Sequence, residues 1–231
     1  MKKKNRIWIS ILTVIGFVLI LQNSCKKADE TSNAVADKDG NVYKTVTIGT
    51  QVWMAENLKT TKYLNGDLIG TTTPATLDIS SDSTPKYQWA YGGDQNNVAT
   101  YGLLYTWYAV TDSRNICPTG WHVPTDVDWS TLTTYLGGDS IAGRKLKETG
   151  TTHWASPNTG ATNETGFTSL PGGYRGYLGG FYYIGYAGYW WSVTEYDADN
   201  AWYRGMYYNG IYDHVLSNSK KAGFSVRCLK N

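Results

Sequence analysis

The twenty residues Gly172–Trp191, GGYRGYLGGFYYIGYAGYWW, contain seven glycines and nine aromatics. A stretch of that make-up reads as strand, turn and irregular backbone, with aromatics that either wall the core or form a platform for a ligand. The rest of the chain agrees with it. Glycine, tyrosine, tryptophan and threonine dominate and long helical patterns are scarce, so the expected domain is mostly β and irregular, with one or two short helices.

The start of the chain sets its address. Lys2, Lys3, Lys4 and Arg6 precede an uncharged run from Ile7 to Leu21. That run has the length of a signal-peptide core and falls short of the roughly 20 apolar residues of a spanning helix. Ser24-Cys25 follows it, and a small residue before cysteine resembles a bacterial lipoprotein cleavage site, although Gln22 stands where such sites usually carry leucine. The reading taken is an export signal at 1–24, acylation of Cys25 and a polar tether through residue 36, KKADETSNAVA. A retained N-terminal anchor and an ordinary cleaved signal are the alternatives. All three export the chain, and the expected place is the cell envelope, at the outer membrane, on its periplasmic or its outer side.

Export changes how cysteine and charge are read. With Cys25 set aside, Cys117 and Cys228 are an even pair in an oxidising compartment and are expected to form a disulfide, with free thiols as the alternative. No cysteine–histidine spacing suggests zinc. The formal charge of +2 includes the four basic residues of 1–24; without them 17 basic side chains face 19 acidic ones. Nucleic acid therefore loses its electrostatic footprint as a partner.

Residues 37–231 suit one domain. Asp39-Gly40 supplies a turn ahead of alternating Val42, Lys44, Val46 and Ile48, and Gly49-Thr50 turns the chain into Gln51–Met54, a hairpin. Asp37, Asp39 and Asn41 resemble the opening of a calcium loop, but its twelfth position is Ile48 where an acid is needed, so a turn is the better reading. Residues 65–86 read as a polar surface loop. Tyr101, Leu104, Trp107 and Tyr108 are spaced for a short helix over 101–110. Thr125 and Asp128 form a capping box ahead of Trp129, Leu132, Tyr135 and Leu136 on one helical face, with Gly137-Gly138 as the stop. Asn209-Gly210 predicts a two-residue turn between Trp202–Tyr208 and Ile211–Val215. In the closing GFSVRCLKN, Phe224, Val226 and Cys228 alternate as a last strand.

Six phrases then occur in a fixed order: IGTQVWMAENL, YGLLYTWYAV, CPTGWHVPTDVDW, GFTSLPGGYR, WWSVTE and GFSVRCLK. Together they resemble the Fibrobacter succinogenes major paralogous domain, found on exported and often lipid-anchored proteins, over nearly all of 37–231. The family is considered related to C-type lectin-like domains and to sulfatase-modifying factors. The resemblance implies an α+β, C-type lectin-like fold. Its N- and C-terminal strands lie together, two helices flank a small twisted antiparallel sheet, and long loops occupy one side. It also implies that Cys117 near the second helix meets Cys228 on the last strand. The ends of the glycine- and aromatic-rich stretch fall within matched phrases and belong to the scaffold, leaving 176–188 as a loop or hairpin tip.

The implied relatives suggest activities that the residues weaken. Calcium-dependent lectins of that kind use Glu-Pro-Asn or Gln-Pro-Asp with Trp-Asn-Asp; the nearest string is Ser156-Pro157-Asn158, and serine has no carboxylate for a hard cation. Copper-dependent sulfatase-modifying enzymes need two reactive cysteines, and a disulfide removes both thiolates. No GxSxG, HExxH or P-loop is present, and no cofactor or metal motif is read. His122, His153 and His214 are scattered, and Glu148, Glu164, Glu195, Asp197 and Asp199 read as solvated loop residues. Catalysis is not expected. Trp53, Trp107, Trp121, Trp129 and Trp191 are assigned to the core. Tyr177, Tyr182, Tyr186, Tyr207 and Tyr208, with Glu195, are the candidate ligand-binding residues, for a glycan or a surface protein. The membrane is reached through the N-terminal lipid.

Overall fold

The computed structural model describes residues 34–231. The export segment, Cys25 and the tether as far as residue 33 lie outside the described residues. The last three residues assigned to the tether are not irregular. Ala34–Ala36 is strand β1, antiparallel to the next strand with Val35 opposite Tyr43.

The strands that follow are β2 (Val42–Ile48), β3 (Gln51–Met54), β4 (Gln88–Trp89), β5 (Leu104–Thr106) and β6 (Trp121–His122). Then come β7 (Gly172–Arg175), β8 (Phe181–Ile184), β9 (Ala187–Glu195), β10 (Asn200–Tyr207), β11 (His214–Ser219), β12 (Gly223–Phe224) and β13 (Leu229–Lys230). The α-helices are short: α1 (Val98–Tyr101), α2 (Trp107–Val110), α3 (Asp126–Tyr135) and α4 (Asp139–Leu146). The architecture is α+β, mostly sheet. One sheet runs β1-β2-β3-β13-β6, so the N-terminal strands share a sheet with the last one, β3 beside β13; the other runs β11-β10-β9-β7-β12-β5-β4, with β8 paired to β7. Strand pairs are antiparallel except β7 with β9.

Elements set by local chemistry form where the sequence places them. Ile48 pairs with Gln51 across the Gly49-Thr50 turn, and Gly49 takes the positive φ of +61° that the turn requires. Of the alternating set in β2, only Ile48 is buried; Val42 is exposed, and Tyr43 from the other face is buried instead. Its hydroxyl donates to Asp37 Oδ2 at 2.5 Å and accepts from Lys59 N at 2.9 Å. Asp37 Oδ1 accepts from the backbone of Asp39 and Asn41, so this carboxylate closes a turn. Thr125 Oγ1 accepts from Asp128 N at 3.2 Å while Asp128 Oδ2 accepts from Thr125 N at 2.9 Å, completing the capping box of α3.

Trp129, Leu132 and Leu136 are buried, but Tyr135 is 67 % exposed. It lies about 120° around the helix from Trp129, at the edge of the apolar stripe.

Three other expectations are corrected. Residues 101–110 are not one helix. Gly102, at φ +74°, ends α1, and Leu104–Thr106 enters the sheet between β12 and β4, with Tyr105 opposite Phe224 and Gln88. The hairpin of β10 and β11 exists, but Gly205 pairs with His214 and the connection spans 208–213. Its carbonyls are taken by tertiary donors: Arg144 N reaches Ile211 O at 3.0 Å and Thr159 N reaches Tyr208 O at 2.7 Å. The closing strand is broken between β12 and β13, although Phe224, Val226 and Cys228 are all buried in one cluster. Residues 65–86 lie mainly on the surface, anchored by buried Ile69 and Ile79.

Strand β9 divides the core. Side chains alternate along a strand, so Trp190 joins Ile48, Trp53, Trp129 and Leu132, while Trp191 joins Tyr105, Trp107, Phe224 and Val226. All five tryptophans assigned to the core are buried. Indole N–H groups need partners when buried, and they have them: Trp190 donates to Asn57 Oδ1 (2.8 Å), Trp191 to Tyr105 O (2.7 Å) and Trp107 to Ser192 O (3.0 Å). Cys117 and Cys228 are joined by a disulfide, their Cα atoms 5.9 Å apart.

Candidate functional site

The glycine- and aromatic-rich stretch folds as the β7–β8 hairpin followed by β9. In a regular strand Tyr182 and Tyr183 would point to opposite faces. Here both are exposed, by 46 % and 56 %, and both rings meet Tyr174, at centroid distances of 5.2 Å and 6.1 Å and interplanar angles of 31° and 24°. The alternation fails because Tyr183 adopts φ +66°, left-handed backbone that a bulky side chain rarely takes. Such conformations cost on the order of 1–3 kcal/mol and persist where the surroundings impose them. The neighbouring backbone is close: a Cβ on Gly173 (φ +63°) would collide with Tyr182 O and lie 2.7 Å from Ile184 N. Glycine at 173 lets β8 approach β7 closely enough to form the stack.

From Tyr174 the aromatics continue across the sheet. Tyr189 lies 5.3 Å from Tyr174, Tyr207 5.9 Å from Tyr189, His214 5.1 Å from Tyr207 and Tyr212 5.6 Å from His214. Beside them Tyr186 and Tyr208 meet edge to face at 5.4 Å. Tyr186 and Tyr212 are about half exposed, at 51 % and 50 %. Burial raises the hydroxyl pKa of Tyr174 and Tyr189 and lowers that of the His214 imidazole, so these groups are neutral at pH 7. Tyr189 itself is buried in the core, so the surface consists of two hydroxyl-bearing aromatic patches joined through it, Tyr182–Tyr174–Tyr183 on one side and Tyr207, His214 and Tyr212 on the other.

The sequence candidates fall into separate places. Tyr182 belongs to the stack, Tyr207 to the continuation across the sheet, and Tyr186 with Tyr208 to the adjoining pair. Tyr177 lies elsewhere, beside a cavity of about 230 Å³ that it shares with Tyr108, Asp199 and Lys221. Glu195 pairs with Lys220 Nζ at 3.0 Å; that lysine is buried over Trp107 and also donates to Asp197 O and Ala198 O. Tyr174, Tyr183, Tyr189, Tyr212 and His214 were not picked out from sequence. The doublet in FYYI is the one local sign, and adjacency alone does not decide it, since neighbouring aromatics can be buried on opposite faces of a strand as Trp190 and Trp191 are.

Other polar groups are engaged within the fold. His153 Nδ1 lies 2.9 Å from Glu148 Oε2, Lys145 pairs with Glu164 at 3.1 Å, and Asn158 is buried with its amide donating to Glu148 O and Gly150 O. Ser156-Pro157-Asn158 thus turns its asparagine inward. Among the described residues, no three His, Cys, Asp or Glu side chains gather to hold a metal ion. Among them, too, no helix is long and apolar enough to cross a membrane.

A small α+β domain with one disulfide and a tyrosine face is the class that fold and site define. The family profile of the Fibrobacter succinogenes major domain matches residues 46–230, and the chain belongs to that family. No curated protein and no solved structure matches it.

Proposed function

We propose that this protein is a lipid-anchored component of the cell envelope that holds an extended partner, a glycan chain or a protein surface, on its tyrosine face and performs no catalysis. The observation carrying this is the Tyr182–Tyr174–Tyr183 stack, in which a left-handed tyrosine puts two adjacent rings on the exposed side of one partner ring. Phenol rings offer apolar area and a hydroxyl at low entropic cost, suited to sugar C–H faces and to protein contacts alike. The Ser24-Cys25 motif behind an uncharged run is what supports the lipid-anchored address. The N-terminal strands and the last strand sharing one sheet, together with the Cys117–Cys228 bridge, support a C-type lectin-like reading of the fold. Against catalysis, Glu148, Glu164 and Glu195 are each engaged by a different basic partner.

The test is a glycan array run beside a cross-linking pull-down from envelope extracts, with wild type and Tyr182→Ala/Tyr183→Ala. Loss of each stacked ring should weaken binding by about threefold to tenfold, so the double variant should lose more than that. Undiminished binding by the double variant would remove the tyrosine face from the function. Silence in both arms would favour a structural envelope module without a fixed ligand. Acyl labelling of wild type and its absence in Cys25→Ala checks the anchor.

A further inference from the structure

Asn200 opens β10 and Tyr207 closes it, a separation of about 23 Å along an extended strand. The tyrosine face includes the Tyr207 end. At the Asn200 end the cavity of about 230 Å³, open to solvent, is lined by segments far apart in sequence: the long loop at Ser80, α2 at Tyr108, the β7–β8 turn at Tyr177, Asp199, the last residue of β11, Ser219, and Lys221 just beyond it.

Its hydrogen-bonding groups are fixed but not consumed. Lys221 Nζ donates to Ser80 O at 2.6 Å, which leaves two of its three protons. The backbone of Asp199 is held at both ends, its N–H by Asp197 Oδ1 at 2.9 Å and its carbonyl by Lys220 N at 2.9 Å. Among the described residues nothing donates to the Asp199 carboxylate. Ser219 Oγ accepts from Lys221 N at 3.3 Å, so its own proton remains to be given. Tyr108 is backed edge-on by Trp107 at 5.9 Å and, with Tyr177, brings an aromatic ring to the cavity.

The lining selects a ligand by exclusion and by match. An anion would meet Asp199, a cation would meet Lys221, and an acyl chain would lay apolar surface against both charges. A neutral ring bearing hydroxyls satisfies donors and acceptors together and lays its C–H surface against tyrosine. We propose that this cavity binds a single neutral saccharide unit, at a site separate from the tyrosine stack and independent of it.

The full chain, purified in a detergent without a sugar headgroup, is titrated calorimetrically with the methyl glycosides of glucose, galactose, mannose and N-acetylglucosamine. At least one should bind saturably. Asp199→Ala and Lys221→Met should each weaken it by about tenfold or more, as expected for hydrogen bonds to charged groups. Tyr183→Ala should leave it unchanged, so this site and the stack are told apart. The altered Asp199 and Lys221 side chains lie outside the core, and unchanged thermal unfolding confirms that each variant is folded. Absence of binding by all four glycosides overturns the proposal. So does equal binding by wild type and the two cavity variants, or loss on Tyr183→Ala with Asp199→Ala intact.

Discussion

Arg204, buried on β10, faces three carboxylates but hydrogen-bonds only one of them. Its Nη2 donates to Asp126 Oδ1 at 2.6 Å, while Nη1 stands 3.6 Å from Asp139 and 3.7 Å from Asp213, beyond hydrogen-bond reach. Neither oxygen of the fully buried Asp213 carboxylate has a hydrogen-bond partner among the described residues. Desolvation therefore outweighs the pull of Arg204, and with Asp139 and Asp126 adding repulsion the Asp213 pKa rises to about 7. An unfolded aspartate titrates near 3.9. Between these values the native state holds a proton that the unfolded state has released, so stability falls as pH rises from about 4 to about 7, by roughly 1.4 kcal/mol per unit at most. Asp213→Asn keeps the shape without the titration. Urea unfolding of both proteins across this range should show wild type losing stability relative to the variant up to about pH 7, then a constant difference. Parallel profiles would mean that Asp213 is ionised throughout.

Elements this short leave many loop carbonyls without a backbone partner, and buried carbonyls need one. Buried cations stacked on aromatic rings supply the donors. Arg175 donates to Ala75 O, Leu77 O and Gly176 O over Trp89, and Lys147 to Thr159 O, Tyr207 O and Gly210 O beside Trp154. Arg227 caps Phe167 O and Thr168 O over the Phe167 ring. Arg175→Met should strand two carbonyls of the 75–77 loop, at about 1–3 kcal/mol each, and should raise amide exchange at the Ile79 end of that loop first. Arg175→Lys should recover only part, because an ammonium lacks the planar fork. Unchanged exchange at 75–79 would show that the loop is held by something else. The same contacts explain which elements could be read from sequence. The β2–β3 turn and the capped start of α3 are decided within a few residues, and both form as expected. The 208–213 connection is decided by Arg144, Lys147 and Thr159, and the strand at Leu104–Thr106 by Phe224, partners that no local pattern names. The candidate site divides the same way: tyrosine enrichment was visible, whereas the left-handed Tyr183 depends on how closely β8 meets β7.

At the scale of the whole molecule, residues 223–230 join its two sheets. Gly223 and Phe224 pair with β5 in one, and Leu229 sits between Trp53 of β3 and His122 of β6 in the other. Between them Val226 O accepts from Leu58 N and Cys228 O from Met54 N, while Cys228 is bonded to Cys117, 111 residues earlier. The two sheets thus depend on a final segment that folding must bring back over most of the domain, and long closures are entropically costly. The disulfide reduces this loss by constraining the unfolded chain. For a loop of this length the chain-entropy estimate is about 4–5 kcal/mol. Replacing both cysteines by serine should therefore lower unfolding stability by about that much, with a steeper denaturant dependence because the unlinked chain exposes more surface. The slope separates two mechanisms. A loss of stability with a steeper slope places the effect in the unfolded chain, whereas an equal loss with an unchanged slope would place it in native packing around Cys228, between Val226 and Leu229.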